Sequence, residues 1–202
     1  AEYSQIVSAA NNSDIAEFIF SLRNTDPEKD HLQLDNVRIE VDGDGPSEVN
    51  SIAELRQGEQ GGVYILTSEA ILTYQQDYRN QKYIQDNSGA ILIDDNNGVI
   101  TTQYQRYDGI TGISGTLGSY NNMLQFVPDS DPGGATSTGN EVTPESMTLD
   151  AISEDDQAKL IEVDNVSFTE TGDFDAQENY TINTPDGEGV FRTIFSDEDY
   201  IG

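Results

Sequence analysis

One pattern of short apolar segments occurs twice along this 202-residue chain. Three segments of the second half resemble three segments of the first half at one constant spacing of 97 residues: 148–152 corresponds to 51–55, 160–163 to 63–66, and 180–182 to 83–85. A fixed offset across separated segments is typical of a tandem duplication. The sequence therefore predicts two copies of one module.

The first copy contains five predicted strands. They are apolar runs rich in β-branched and aromatic residues, divided by turn residues: 63–74, 82–86, 90–93, 109–117 and 123–127. Glycines in the fourth run stand where a tightly curved sheet needs bends. Five strands with a long first strand favour an all-β fold, a small five-stranded OB-fold-like barrel.

The second copy is expected to be incomplete. Adding 97 to the last two strands of the first copy, at 109–127, gives 206–224, which lies beyond Gly202. We therefore expect the second barrel to stop after its third strand. The chain is then expected to be a piece of a longer protein, truncated at both ends.

The predicted domains follow from composition. Residues 1–42 alternate in strand fashion, most clearly over 15–22 and 32–41. Because an isolated hairpin is marginal in water, they are interpreted as the last strands of an upstream β-sandwich or jelly-roll. Gly-, Pro- and Ser-rich stretches place one linker before the first barrel and one between the two barrels. The boundaries are linker 43–50, barrel 51–128, linker 129–141 and truncated barrel 142–202.

Charge excludes several partners. Nine Lys and Arg against 38 Asp and Glu give a net charge of −29. Such a surface repels nucleic acid and anionic membranes, and no apolar run approaches the ~20 residues of a membrane span. We interpret the acidity as solvation of the surface, with cation binding as the alternative. The chain has no cysteine and so no disulfide.

A set of runs in the first copy resembles one known family. They are Glu69–Tyr74, Lys82–Asp86, Ala90–Asp95, Tyr107–Gly112 and Met123–Pro128. The set is similar to the tandem OB-fold-like domain of unknown function found in large secreted and surface proteins of Bacteroidota, commonly exported by type IX secretion. The resemblance covers about 48–202. It implies a secreted or cell-surface location and flanking domains of the same polypeptide as partners, and it brings no agreed catalytic residues.

Metal and acid–base motifs are weak in this sequence. His31 is the only histidine, which excludes His-based triads and His-rich metal sites. The acidic runs 94–98 and 42–45 do not match a calcium loop, since neither has glycine at the sixth position. Calcium held by irregular acidic loops stays open, but we predict no metal site, no cofactor and no enzyme.

Tyrosines concentrate in the first copy, with seven of the ten between Tyr64 and Tyr120. The candidate ligand-binding residues are Tyr74, Tyr78, Arg79, Tyr83, Tyr104, Arg106 and Tyr107. Such rings could stack on sugars or on single-stranded nucleic acid. The alternative, which we favour, is that these tyrosines pack the strands of the barrel.

Two functions follow. The first is a non-catalytic structural or adhesive module of a secreted, cell-surface multidomain bacterial protein. Its candidate partner is an extracellular surface assembly. The second is an accessory module of an extracellular enzyme that binds a glycan. Single-stranded nucleic acid is the less favoured ligand because of the acidity.

Overall fold

The computed structural model describes residues 45–195 and 198–201. These residues belong to one compact unit, Gly43–Gly202. The sandwich strands predicted within 1–42, together with His31, lie outside the described residues. The described elements are mostly strands, so the all-β class is confirmed.

The first copy contains eight strands and one α-helix. Its strands are β1 (Ser47–Val49), β2 (Val63–Leu66), β3 (Ala70–Gln75), β4 (Lys82–Asp86), β5 (Gly89–Ile93), β6 (Gly109–Ile110), β7 (Ile113–Tyr120) and β8 (Met123–Pro128). Helix α1 spans Ile52–Arg56, and a 3₁₀ turn spans Tyr78–Asn80. The long first strand predicted at 63–74 is thus two strands, β2 and β3, separated by residues 67–69.

Pairing curls this sheet back onto itself. Its order is β1-β2-β7-β8-β5-β4-β3-β6. Since β2 and β3 follow each other directly, the ladder runs from β3 through β4, β5, β8 and β7 to β2. Within this circuit β5 and β8 pair in parallel, with Leu92 opposite Gln125 and Ile93 opposite Phe126. The circuit fits a barrel with a long, bent first strand, while the OB assignment stays a prediction.

The core lies inside this circuit. Its fully buried side chains come from alternate positions of the strands, as expected for strands with one inward face. Examples are Leu72, Ile84, Ile91, Leu117 and Phe126.

Helix α1 closes the core on one side. It begins at Ser51, whose Oγ accepts a hydrogen bond from the Glu54 amide at 3.1 Å, a favoured N-cap arrangement. Ile52 and Leu55 lie three residues apart on one helix face and are fully buried. The Asp86 carboxylate accepts a hydrogen bond from the Ile52 amide at 2.8 Å. The hairpin of β4 and β5 thereby holds the start of the helix.

The second copy is smaller. Its elements are β9 (Glu145–Ser146), 3₁₀ turns at Leu149–Ala151 and Glu154–Asp156, β10 (Ile161–Glu162), β11 (Ser167–Phe168), β12 (Asn179–Thr184) and β13 (Gly187–Arg192). Strands β9 and β10 pair in parallel, as β1 and β2 do. Strands β11, β12 and β13 form a three-stranded antiparallel sheet.

The two hairpins correspond pair for pair at an offset of 98. The pair Asp86 and Gly89 matches Thr184 and Gly187, and the pair of Ile84 with Ile91 matches that of Ile182 with Gly189. The predicted match of 180–182 with 83–85 is therefore wrong by one residue. A slip of one residue exchanges the two faces of a strand, and at offset 98 the buried Ile182 takes the place of the buried Ile84.

A longer connection explains this slip. Phe168 pairs with Ile182, 182 − 168 = 14 residues later, whereas Leu72 pairs with Ile84, 84 − 72 = 12 residues later. The second copy therefore has two more residues between its paired strands. Since Phe168 lies 168 − 72 = 96 residues after Leu72, one residue is lost before β11 and two are gained after it, which brings the hairpin to an offset of 98. The offset at the start of the copy stays at 97, because Thr148 precedes the Leu149–Ala151 turn as Ser51 precedes α1.

Candidate functional site

A cleft of about 440 Å³ lies between the outer face of the first barrel and the second copy. We call it the aromatic cleft. The first copy lines it with Thr73, Tyr74, Tyr83, Arg106, Tyr107 and Met123, and the second copy with Ala158, Lys159, Leu160, Ile194, Phe195, Glu198 and Tyr200. Its volume falls in the range of small-molecule sites, roughly 300–1,000 Å³.

Two neighbouring strands bring Tyr74 and Tyr83 together. The two residues are opposite each other on β3 and β4, and their ring centroids are 5.9 Å apart. Tyr83 points outward because its neighbour Ile84 points inward. Tyr74 follows Leu72 by two residues, and the register shift between them, an irregularity of the β-bulge kind, brings it opposite Tyr83 on the outer face. The pairing of β3 with β4 therefore builds an aromatic surface from two of the predicted ligand-binding residues.

The loop before β6 adds two more of the predicted residues. The Arg106 guanidinium lies over the Tyr74 ring, 5.2 Å from its centroid, within the range of a cation–π contact. Tyr107 adopts a φ of 73°, and its amide donates to the Leu72 carbonyl at 2.7 Å. That hydrogen bond ties the loop to β3.

The other three predicted residues do not line the cleft. Tyr78 is 69% exposed on the 3₁₀ turn. Arg79 forms an ion pair with Asp94, with its Nε donating to Oδ1 at 2.7 Å. Tyr104 is only 2% exposed, and its hydroxyl donates to the Gly133 carbonyl. Arg79 and Tyr104 thus make their contacts within the first copy.

The two carboxylates of the acidic run at 94–98 bind neighbouring groups of the first copy. Hydrogen bonds from the Arg79 guanidinium and from Gln81 hold the pKa of the Asp94 carboxyl below its usual value. The guanidinium of Arg79 contacts both carboxylate oxygens of Asp94. Asp95, which is buried, accepts from the Val99 and Ile100 amides at 2.7 and 3.0 Å. Across 45–195 and 198–201, no three His, Cys, Asp or Glu side chains are grouped to hold a metal ion.

The second copy covers part of the aromatic surface. The Phe195 ring lies 4.4 Å from Tyr74 and meets Tyr83 edge-on at 5.4 Å, between centroids. Glu198 accepts a hydrogen bond from Arg106 at 2.8 Å. Periodicity could not reveal these partners, since Phe195 is 195 − 74 = 121 residues from Tyr74 and such contacts leave no local pattern.

Burial in the cleft raises the pKa of the Tyr83 hydroxyl. Desolvation, and secondly the charge of Asp94, raise the pKa of Tyr83 to about 12. The folded protein therefore favours the neutral phenol. Its contribution to stability is complete below the unfolded pKa of about 10 and is lost as the pH rises towards 12.

Replacing Tyr83 by phenylalanine tests this shift. We expect the free energy of unfolding of the native chain to fall by about 1–2 kcal/mol more than that of Tyr83→Phe between pH 9 and pH 11.5. Urea unfolding at both pH values measures this difference. Tyr120→Phe is the control, because Tyr120 is 67% exposed. An identical pH dependence in native chain and Tyr83→Phe would contradict the shift.

In the part of the chain that the structure describes, no helix has the length and apolar character needed to cross a membrane. Comparison of the chain with family models, with curated proteins and with solved structures finds no match.

Proposed function

We propose that this chain is a non-catalytic structural or adhesive module of a secreted, cell-surface multidomain bacterial protein. In this role, two OB-fold-like copies act together as a spacer or docking unit. The observation that carries the proposal is the contact of Phe195 with Tyr74 and Tyr83. The surface that could have stacked on a ligand is used to hold the second copy.

The chemistry of this contact supports a structural role. Aromatic pairs with centroids 4.5–7 Å apart are worth about 0.5–1.5 kcal/mol beyond their buried area. The ion pair of Arg106 and Glu198 is half-exposed, with side-chain exposures of 47% and 35%, so it adds only about 0.2–1 kcal/mol. Of these two contacts, the ring packing is therefore the stronger.

The family resemblance of the first copy supports a secreted or cell-surface location. The family that the first copy resembles occurs in large secreted and surface proteins. The net charge of −29 keeps a protein soluble and disfavours polyanionic partners. Flanking domains of the same polypeptide are the partners that this role requires.

Glycan binding is the second candidate, because the cleft keeps open volume beside the Phe195 contact. Tyr107 and Tyr200 line that space, with Lys159 and Glu198 as polar groups. Tyrosine faces together with a few polar groups are typical of ligand pockets. Lys159 is already paired with Asp156 at 2.8 Å and Glu145 at 3.2 Å, which leaves it less available to a sugar.

A binding screen separates the two functions. We expect the intact chain to bind no glycan on an array or by calorimetry at millimolar sugar. Binding that disappears when Tyr74, Tyr83 and Arg106 are all replaced by alanine would establish the glycan function and overturn the structural one. The matched control replaces Tyr78 and Tyr120, which are 69% and 67% exposed, and it must leave any such binding unchanged.

A further inference from the structure

The segment that leads from β8 to the second copy is bound along its length to the first barrel. We call this segment, residues 129–140, the clasp. The Ser137 carbonyl accepts a hydrogen bond from the Gly109 amide at 2.9 Å, and the Thr136 amide donates to the Gly109 carbonyl at 2.8 Å. A Cβ on Gly109 would lie 2.5 Å from the carboxyl carbon of Glu69 and closer still to the Ser137 hydroxyl. The clasp therefore lies directly against β6.

The clasp contacts a long loop of the first barrel. Strand β5 ends at Ile93 and β6 begins at Gly109, so 108 − 93 = 15 residues connect them without a helix or strand. Ordered loops of this length are uncommon in compact domains and are usually functional. We call its second half, residues 101–108, the cleft loop, because it carries Arg106 and Tyr107 to the aromatic cleft.

One carboxylate of the clasp binds the start of the cleft loop. Oδ2 of Asp131 accepts hydrogen bonds from the Thr101 amide, the Thr101 hydroxyl and the Thr102 amide at 2.8, 2.7 and 2.9 Å. Its Oδ1 accepts from the Gly133 amide at 2.9 Å. The Thr101 hydroxyl first, and then the Gly133 amide, hold the pKa of Asp131 well below its ordinary value. Hydrogen bonds to such an ionised acceptor are stronger than those between neutral groups.

The clasp also binds the end of the cleft loop. The amide and the side-chain Nδ2 of Asn140 both donate to the Tyr107 carbonyl, at 3.0 and 2.9 Å. Between these two points, the Tyr104 hydroxyl donates to the Gly133 carbonyl. On the other side of the loop, the Tyr107 amide donates to the Leu72 carbonyl of β3 at 2.7 Å. The cleft loop is thus held between β3 and the clasp.

The clasp contributes little to the barrel core. Of residues 129–140, all of which the structure describes, Ala135 is the one that packs against the buried cluster. Every side chain of the clasp is half-buried or exposed. A segment with many hydrogen bonds and few apolar contacts opens at a lower free energy than the core beside it. The clasp can therefore open while the barrel stays folded.

We propose that the clasp positions the cleft loop and thereby controls how firmly the second copy is attached. Asp131 and Asn140 are the positioning residues. When the clasp opens, Arg106 is no longer held over the Tyr74 ring and beside Glu198. The inference rests on the proposed function, since it concerns the surface at which the second copy is attached.

Hydrogen exchange in Asp131→Ala tests the positioning role. We expect the Tyr107 amide, which donates to Leu72 and not to the clasp, to exchange about tenfold faster, because losing a hydrogen bond to an ionised acceptor shifts a local opening by about that factor. The amides of β4 and β5 should keep their rates. Asp129→Ala is the matched control and should leave the Tyr107 rate unchanged, because the Asp129 carboxylate accepts instead from the Ser114 hydroxyl of β7 at 3.0 Å.

A double-mutant cycle tests the link to the second copy. In the native chain, Arg106→Ala should speed proteolysis over 142–195 by about two- to threefold, the effect of a half-exposed ion pair. In the Asp131→Ala background the same substitution should add nothing, because the loop that carries Arg106 is already released. Asp131→Asn keeps the size of the side chain and removes its charge, so it should give the same pattern with smaller effects.

Three results would overturn the proposal. The first is a Tyr107 exchange rate that neither Asp131 variant changes. The second is loss of protection throughout β4 and β5 in both variants, because the clasp would then be part of the barrel core. The third is an equal effect of Arg106→Ala in the native and Asp131→Ala backgrounds. Glycan binding by the intact chain, by contrast, would overturn the proposed function and leave these exchange rates as expected.

Discussion

Replacing Gly115 by alanine is expected to lower the free energy of unfolding of the first barrel by about 3 kcal/mol, at the upper end of the cost of overpacking. Gly115 lies in β7 between two partners, Tyr64 of β2 and Pro128 of β8. A Cβ at this position would lie 2.3 Å from the Val127 carbonyl oxygen. That oxygen belongs to the backbone, so the strand pairing itself must shift to make room.

Gly118 provides the matched control on the same strand. A Cβ there would have no atom within 4 Å, so we expect Gly118→Ala to change stability by less than about 0.5 kcal/mol. Urea unfolding followed by circular dichroism measures both variants. Equal effects at the two positions would show that glycine matters in β7 only through its conformational freedom, and that close approach of β8 to β7 plays no part.

The strands of the first copy show how far the sequence predicts this fold. Turn residues and apolar alternation locate the strand-forming segments of the first copy, since these signals are local. Two of the five predicted strands, 63–74 and 109–117, are each two strands in the structure. The break within 63–74 lies at three polar residues, Thr67, Ser68 and Glu69, and the single long strand predicted there is wrong. Pairing with β7 and with β4 shows that β2 and β3 are separate strands. Likewise, helix α1 has only five residues, too few for a helical period to stand out.

The second copy shows where the repeat signal ends. A spacing of 97 locates the segments, but the hairpin register depends on two extra residues before Ile182, which low similarity hides. Because side chains alternate, the difference of one residue between the offsets 97 and 98 decides whether Thr181 or Ile182 takes the inward position of Ile84. The repeat therefore predicts which segments correspond, while the pairing is needed to say which faces correspond.

Four of the thirteen residues that line the cleft were predicted from the sequence. Tyrosine and arginine density identifies Tyr74, Tyr83, Arg106 and Tyr107, all in one copy. The same density also selects Tyr104, which belongs to the core, because composition cannot distinguish inward from outward rings. Phe195 and Glu198 were missed, since their role comes from contact between the two copies.

Replacing Phe195 by alanine is expected to weaken attachment of the second copy to the first barrel by about 2 kcal/mol. A fully buried phenylalanine costs about 3–5 kcal/mol on truncation, and Phe195 is only half-buried. The loss should appear as faster hydrogen exchange and faster proteolysis over 142–195, with β5 and β8 unaffected. Tyr120→Ala, which truncates an exposed ring outside the cleft, should leave both rates unchanged.

A double-mutant cycle assigns this loss to its partner ring. Phe195→Ala combined with Tyr74→Ala should give a coupling energy of about 0.5–1.5 kcal/mol. The cycle of Arg106→Ala with Glu198→Ala should give less, because that pair is half-exposed and screened by salt. If the charged pair gave the larger coupling, and if that coupling vanished in 1 M salt, attachment would be electrostatic. The aromatic surface would then be covered only incidentally, and a ligand could compete with Phe195 for Tyr74 at little cost.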